Sequence, residues 1–298
     1  MKNKPLIFRF ISWLLGIAVT AALFVAGAYV VIKMKYDVDI FATIKQVRQL
    51  SQKVDEDSLL ANKFEQENLD SAVIKINASL PNLITKDADD NYQITTSSVS
   101  VTDLQSNIKM TDKEWGSLLN NLFIAKSAEE NPIKIGNETL PYEFIQLDFS
   151  DYSAENHSIK FTTVFKLDAR AIKNNMKSFP MSLIKNYIPD YFYLFATTSV
   201  TKTDTAFEYT LENQYLKANN LTVNDTMSLF SALNKFLNFG EPQELASKFV
   251  NVIADGLLNA EKDEHGNVKG FMGIMKEYHA SDFAFSQSEE IIYLEVIA

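Results

Sequence analysis

Hydrophobic and polar positions fall into three successive patterns along this chain. The first is a run without any charged side chain, FISWLLGIAVTAALFVAGAYVVI, from Phe10 to Ile32. Its 23 residues, at about 1.5 Å each, match the ~30 Å depth of a hydrocarbon layer. Trp13 lies near one end and Tyr29 and Tyr36 near the other, where amphipathic rings favour the headgroup region. The run therefore predicts a single transmembrane helix over 10–32 behind a short tail, 1–9. A secretory signal cut after Ala28 is the alternative, because Ala26-Gly27-Ala28 supplies small residues. The apolar stretch nevertheless continues through Tyr29-Val30-Val31-Ile32, beyond the usual signal core.

The second pattern has helical period. Ile40, Phe41, Ile44, Val47, Leu50 and Val54 recur between Lys, Gln, Arg and Asp. It predicts a helical stalk over 33–72 whose stripe packs on the domain or on a second chain. If it packs on a partner, Ile40, Ile44 and Val47 are the docking residues.

From about Val73 the texture becomes that of strands mixed with short helices. YEFIQLDFS and SIKFTTVFKLD alternate, and DYSAENH reads as the hairpin between them. In the second, Ile159, Phe161, Thr163, Phe165 and Leu167 share a face. A second pair, YFYLFATTSVT and TAFEYTLENQYLK, meets at the turn KTD, with Phe207, Tyr209, Leu211 and Tyr215 on one face. Thr111 and Glu114 have capping-box spacing, so a helix begins there and buries Trp115, Leu118, Leu119 and Leu122. Two longer helices follow, divided by Gly240 and Pro242, and EIIYLEVIA closes the chain as a strand. The predicted class is α+β: an N-terminal transmembrane helix and helical stalk, then a curved antiparallel sheet packed with helices, with 73–298 as one extracytoplasmic domain.

Charge narrows the partners. Residues 1–35 hold five of the 28 basic groups and none of the 38 acids, so the remainder carries a net charge of −15. Such a body repels nucleic acid, which is set aside as a partner. The basic flanks of the apolar run nearly balance: Lys2, Lys4 and Arg9 before it, Lys33, Lys35, Lys45 and Arg48 after it. The short leading tail and the absence of cysteine favour a single-pass protein of the cell membrane with its large domain outside the cytoplasm.

Candidate chemistry is sparse. The three histidines, His157, His265 and His279, have no companion at metal-ligand spacing. Asp87–Asn91 resembles the start of a calcium loop, but Tyr92 stands where glycine is needed and Ser98 where a closing glutamate belongs. Carboxylate pairs such as Asp148/Asp151 read as solvated surface, and no Gly-x-Ser-x-Gly or cysteine nucleophile exists. No cofactor is expected, and the chain reads as non-catalytic. What stands out is aromatic: 21 Phe and 12 Tyr gather on strand faces. They read as a filled core or as the wall of an apolar groove for an acyl chain, through Phe161, Phe165, Phe207, Tyr209 and Leu211.

The order of SSVSVTDLQSNIKMTDKEWGSLLNNLF, FKLDARAIK, YIPDYFYLFATTSVT and FEYTLENQYLKANNLTVN behind an apolar leader resembles the YpmS-like family of single-pass envelope proteins of low-GC Gram-positive bacteria. In outline it is also similar to tubular lipid-binding domains. The resemblance covers roughly residues 95–235 and carries no catalytic residues. It implies an envelope setting whose partners are the bilayer, a lipid or another envelope protein.

Overall fold

The structure, a computed structural model, describes residues 26–124, 134–135, 138–139, 141–177, 181–237, 240–262, 266, 268 and 270–298. Most of the run expected to span a membrane, up to residue 25, lies outside the described residues. Its remainder belongs to a helical segment over 26–36. Among the described residues no helix is long and apolar enough to cross a membrane, which corrects the expected class on that point.

The stalk is corrected as well. Asp37 takes a positive φ of 52° and ends the first helical segment. Asp39 then starts α1 (Ile40–Leu50) afresh, its carboxylate accepting from the backbone N–H groups of Phe41 and Ala42. The chain breaks again into the single turn α2 (Glu56–Leu59) and returns as α3 (Gln66–Ser79). No continuous rod forms, and the apolar faces of α1 and α3 are buried against the body of the protein. The strand texture expected from Val73 begins later, since Leu69, Ala72, Val73 and Ile76 are the buried face of α3.

Beyond α3 a small hairpin forms from β1 (Ile84–Lys86) and β2 (Tyr92–Ile94). β3 (Ile108–Thr111) leads into α4 (Asp112–Leu119), which opens with the expected capping box between Thr111 and Glu114. A short pair, β4 (Lys134–Ile135) and β5 (Glu138–Thr139), precedes the main sheet. That sheet is an antiparallel meander of β6 (Tyr142–Ser153), β7 (Ser158–Asp168), β8 (Tyr191–Lys202) and β9 (Tyr209–Ala218), in that order. Two short helical turns, α5 (Arg170–Asn175) and α6 (Met181–Ile184), lie between β7 and β8. After β9 come α7 (Val223–Leu237), α8 (Pro242–Leu257) and α9 (Phe271–Glu277). The chain ends in β10 (Asp282–Ser288) and β11 (Ile291–Ile297), which join β3 in a second antiparallel sheet of order β10-β11-β3.

Two bulges set the faces of the main sheet. In β6 the register slips between Phe144 and Gln146, so Phe144 and Leu147 point to one side and Ile145 joins Val164 and Tyr193 on the other. In β9 the extra residue Asn213, with φ 52°, shifts the alternation by one. Leu211 therefore faces with Val200 and Leu216 with Ala196, while Tyr215 pairs with Thr197 on the opposite face. This corrects the single face expected for Phe207, Tyr209, Leu211 and Tyr215. Phe207 is not in the strand at all: it occupies the preceding turn at φ 60°.

One face of the sheet is covered by α4 and α8, and Trp115 of α4 donates its indole N–H to the carbonyl of Leu294 in β11 at 3.1 Å. The two sheets and their helices thus share one core.

Candidate functional site

The inner face of the main sheet is solid. Phe165 is fully buried, with ring centroids of Phe249 at 4.8 Å, Phe144 at 5.4 Å and Tyr142 at 5.7 Å. Phe161 stacks on Phe149 at 4.8 Å and meets Phe285 of β10 at 6.3 Å. These rings come from α8 and from the neighbouring strands, so side chains fill the space an acyl chain would need.

The other three aromatic and aliphatic candidates lie elsewhere. Phe207, Tyr209 and Leu211 line an open groove of about 1510 Å³ whose far wall is built from Asn259–Lys262 and from Gly273, Lys276 and Glu277 of α9. The groove also touches Glu208 and Thr210. Successive strand residues point to opposite faces. A cleft bordered by Glu208, Tyr209, Thr210 and Leu211 in turn points to a course along the edge of β9, the outermost strand of its sheet among the described residues.

A lysine clamp shapes the mouth of this groove. Lys202, nearly buried at the end of β8, donates through Nζ to the carbonyls of Thr203 (2.6 Å) and Thr205 (2.7 Å) and pairs with Asp282 at 3.0 Å. The second oxygen of Asp282 accepts the backbone N–H of Phe207 at 2.7 Å. The turn before β9 is thereby tied to β10, and its ring lies beneath the ammonium of Lys276, 5.6 Å away. Sequence reasoning missed this clamp because its two ends are far apart along the chain.

The electrostatics of the groove are acidic. Burial, with the carboxylates of Asp255 and Glu261 adding to it, pushes the Tyr209 phenol up to about 12. Glu208, Glu261 and Glu277 line the groove against Lys262 and Lys276, and Lys262 is paired to Glu277 at 2.9 Å.

The expected docking stripe is used internally. Ile40 and Val47 are buried, and α1 is tied to α7 and its approach by Gln46 to Asp225 (3.5 Å) and by the Asn219 amide to the Leu50 carbonyl (2.8 Å). Ile44 is half-buried beside Phe41 and Arg48 in a shallow outer depression.

Two half-buried carboxylates form a further polar cluster. Asp148 accepts from the amides of Gln146 (2.8 Å) and Asn62 (2.9 Å), and Asp112 accepts the backbone N–H of Phe149 at 3.2 Å. Burial raises both above the usual carboxylate range, and the charge of Asp148 adds to the rise at Asp112. Asp151, the sequence neighbour grouped with Asp148, pairs instead with Lys160. The Asp87 cluster is the β1–β2 turn: one oxygen of Asp87 accepts the N–H groups of Asp89 and Asn91, both at 2.9 Å. His279 pairs with Asp103, and His265 lies outside the described residues. Among the described residues no three His, Cys, Asp or Glu side chains converge to hold a metal ion. No family model, curated protein or solved structure matches this chain.

Proposed function

We propose that this chain is a non-catalytic binding module of the cell envelope, working at a membrane with its folded domain outside the cytoplasm, and that it holds a polypeptide segment of a partner protein in the β9 groove. The position of the groove carries the reading. It follows a strand edge, where polar backbone and alternating side chains meet the ligand, rather than an enclosed apolar interior. An acyl chain wants a continuous apolar wall, and here Glu208 and Thr210 interrupt Phe207, Tyr209 and Leu211. The membrane setting rests on the uncharged stretch Phe10–Ile32 and on the exposed side chains of Val30, Val31 and Met34 in the helical segment 26–36 and of Phe41 in α1. The YpmS-like resemblance is consistent with the same setting.

The test is a photo-reactive benzoylphenylalanine at position 209 of the full chain, irradiated in cells that make it, beside a control at the exposed Tyr191. The expected product is a protein adduct specific to position 209, with the cross-linked residue mapped to one segment of one partner. Adducts made mainly with lipid, or identical products at 209 and 191, would overturn the reading.

A further inference from the structure

Resting on that reading, we propose that the partner segment binds as an added β-strand along the N-terminal half of β9, and that it is an extended segment in which apolar residues alternate with Lys or Arg.

Backbone geometry points to strand addition. Among the described residues β9 ends its sheet, and only its β8 side is paired. In an antiparallel ladder every second residue of an edge strand turns its N–H and C=O away from the sheet. Between the clamped turn and the bulge at Asn213, β9 offers Tyr209–Glu212 as regular strand, paired to β8 through Tyr209–Lys202, Thr210–Thr201, Leu211–Val200 and Glu212–Ser199. Four residues at about 3.4 Å each give ~14 Å of template, and a fifth strand would lie about 4.8 Å outside it. The open groove borders three of these residues, Tyr209, Thr210 and Leu211. The clamp of Lys202 and Asp282 fixes one end of the template and the bulge ends it at the other.

Charge selects the partner. Exposed strand edges are commonly guarded by charge. Here the guards are Glu212 on the strand and Glu208 in the turn just before it, and Asp255 and Glu261 add negative potential near Tyr209. Across the groove Lys262 is offset by Glu277, and Lys276 keeps its charge over the Phe207 ring, so the carboxylates still outnumber the cations. An acidic strand is repelled, and so is another copy of this chain, which carries a net charge of −10. A strand bearing cations is attracted. Its alternate apolar residues would cover Tyr209 and Leu211 on one face while its cations reach Glu208 and Glu212 on the other.

The experiment uses the full chain in detergent and three fluorescent eight-residue probes. One alternates valine with lysine, one alternates valine with glutamate, and one is the lysine probe with every second backbone amide N-methylated on its pairing edge. N-methylation removes hydrogen-bond donors and leaves the side chains unchanged. The lysine probe is expected to bind at least tenfold tighter than the glutamate probe, to lose at least tenfold on N-methylation, and to slow amide exchange at 209–212. Its affinity should fall with added salt, because exposed charges are screened. Equal binding of the methylated probe, equal binding of the glutamate probe, or slowed exchange away from 209–212 would each overturn strand addition by a cationic segment. The failures are separable. If position 209 still cross-links one partner segment while N-methylation has no effect, the groove holds a peptide but not as a strand. If position 209 captures no protein, the binding-module reading falls first.

Discussion

Phe165→Ala separates a packed sheet face from a lipid channel. The ring is fully buried in the middle of β7 and meets three other rings within 6 Å. Its partners belong to two separate segments: Tyr142 and Phe144 of β6, and Phe249 of α8. Collapse around the vacated space would require the helix and the edge of the sheet to move together. Truncating a buried Phe to Ala costs about 3–5 kcal/mol, and a site that cannot collapse belongs at the upper end, ~4 kcal/mol or more. With a urea dependence of about 2 kcal/mol per molar, that loss moves the unfolding midpoint down by ~2 M. Trp115 reports the transition, since its indole is buried against Phe271 and bonded to Leu294. Trp13→Phe in the background removes the only other tryptophan. Tyr209→Ala is the contrast, because that ring borders an open groove, and its loss should be about 1 kcal/mol. A Phe165→Ala loss below about 1 kcal/mol would show that the face is not close-packed. The argument that excludes an acyl chain there would then fail.

Three further outcomes follow from single sites. Burial raises the folded pKa values of Asp112 and Asp148, so the folded state holds protons that the unfolded chain has released. Stability should fall as pH rises from the ordinary carboxylate range through the raised values. Asp112→Asn with Asp148→Asn should flatten that slope in pH-dependent urea titrations, and an unchanged slope refutes the assignment. At Glu114, burial acts upward but is outweighed by bonds from Lys75 (2.7 Å), Ser71 (2.6 Å) and the Thr111 backbone, so its pKa is lowered. Its stabilisation is present above the unfolded carboxyl pKa and is lost as pH falls through the folded one. Because Lys75 is part-exposed, a double-mutant cycle of Lys75→Met and Glu114→Gln should give a coupling of about 1–2 kcal/mol rather than the full buried-pair value, and zero coupling would count against it. Gly116→Ala places a Cβ 2.9 Å from Phe64 and 3.1 Å from Leu147. The helix-propensity gain of about 1 kcal/mol is then outweighed by an overpacking cost of about 1–3 kcal/mol. A more stable variant would show that α4 and β6 are not in such close contact.

Several elements were legible from local pattern. The capping box at Thr111 and Glu114, the break at Gly240 and Pro242, the β6–β7 hairpin and the closing strand β11 all appear where spacing predicts them. Each depends on neighbours within a few residues, which is the range that periodicity senses. β10 was missed, although Phe283 and Phe285 alternate within it, because the segment is short and polar at its end.

Among the candidate site residues, strand periodicity was right for Phe161, Phe165, Tyr209 and Leu211 and wrong for Phe207, which lies in the turn before β9. Tertiary structure sent Phe161 and Phe165 into the core and Phe207, Tyr209 and Leu211 to a groove, because the occupants of each face arrive from α8, α9 and β10, up to 124 residues beyond Phe161 in the case of Phe285. The stripe of α1 follows the same logic: helical spacing shows that Ile40 and Val47 share a side, but α7 decides what covers them. Bulges at Ile145 and Asn213 invert the alternation downstream, and no local rule marks them, since they form where a strand must bend to keep its partners. Period is a property of the backbone and is written locally. The partner of each face is a property of the whole chain, settled only when distant segments compete for the same buried surface.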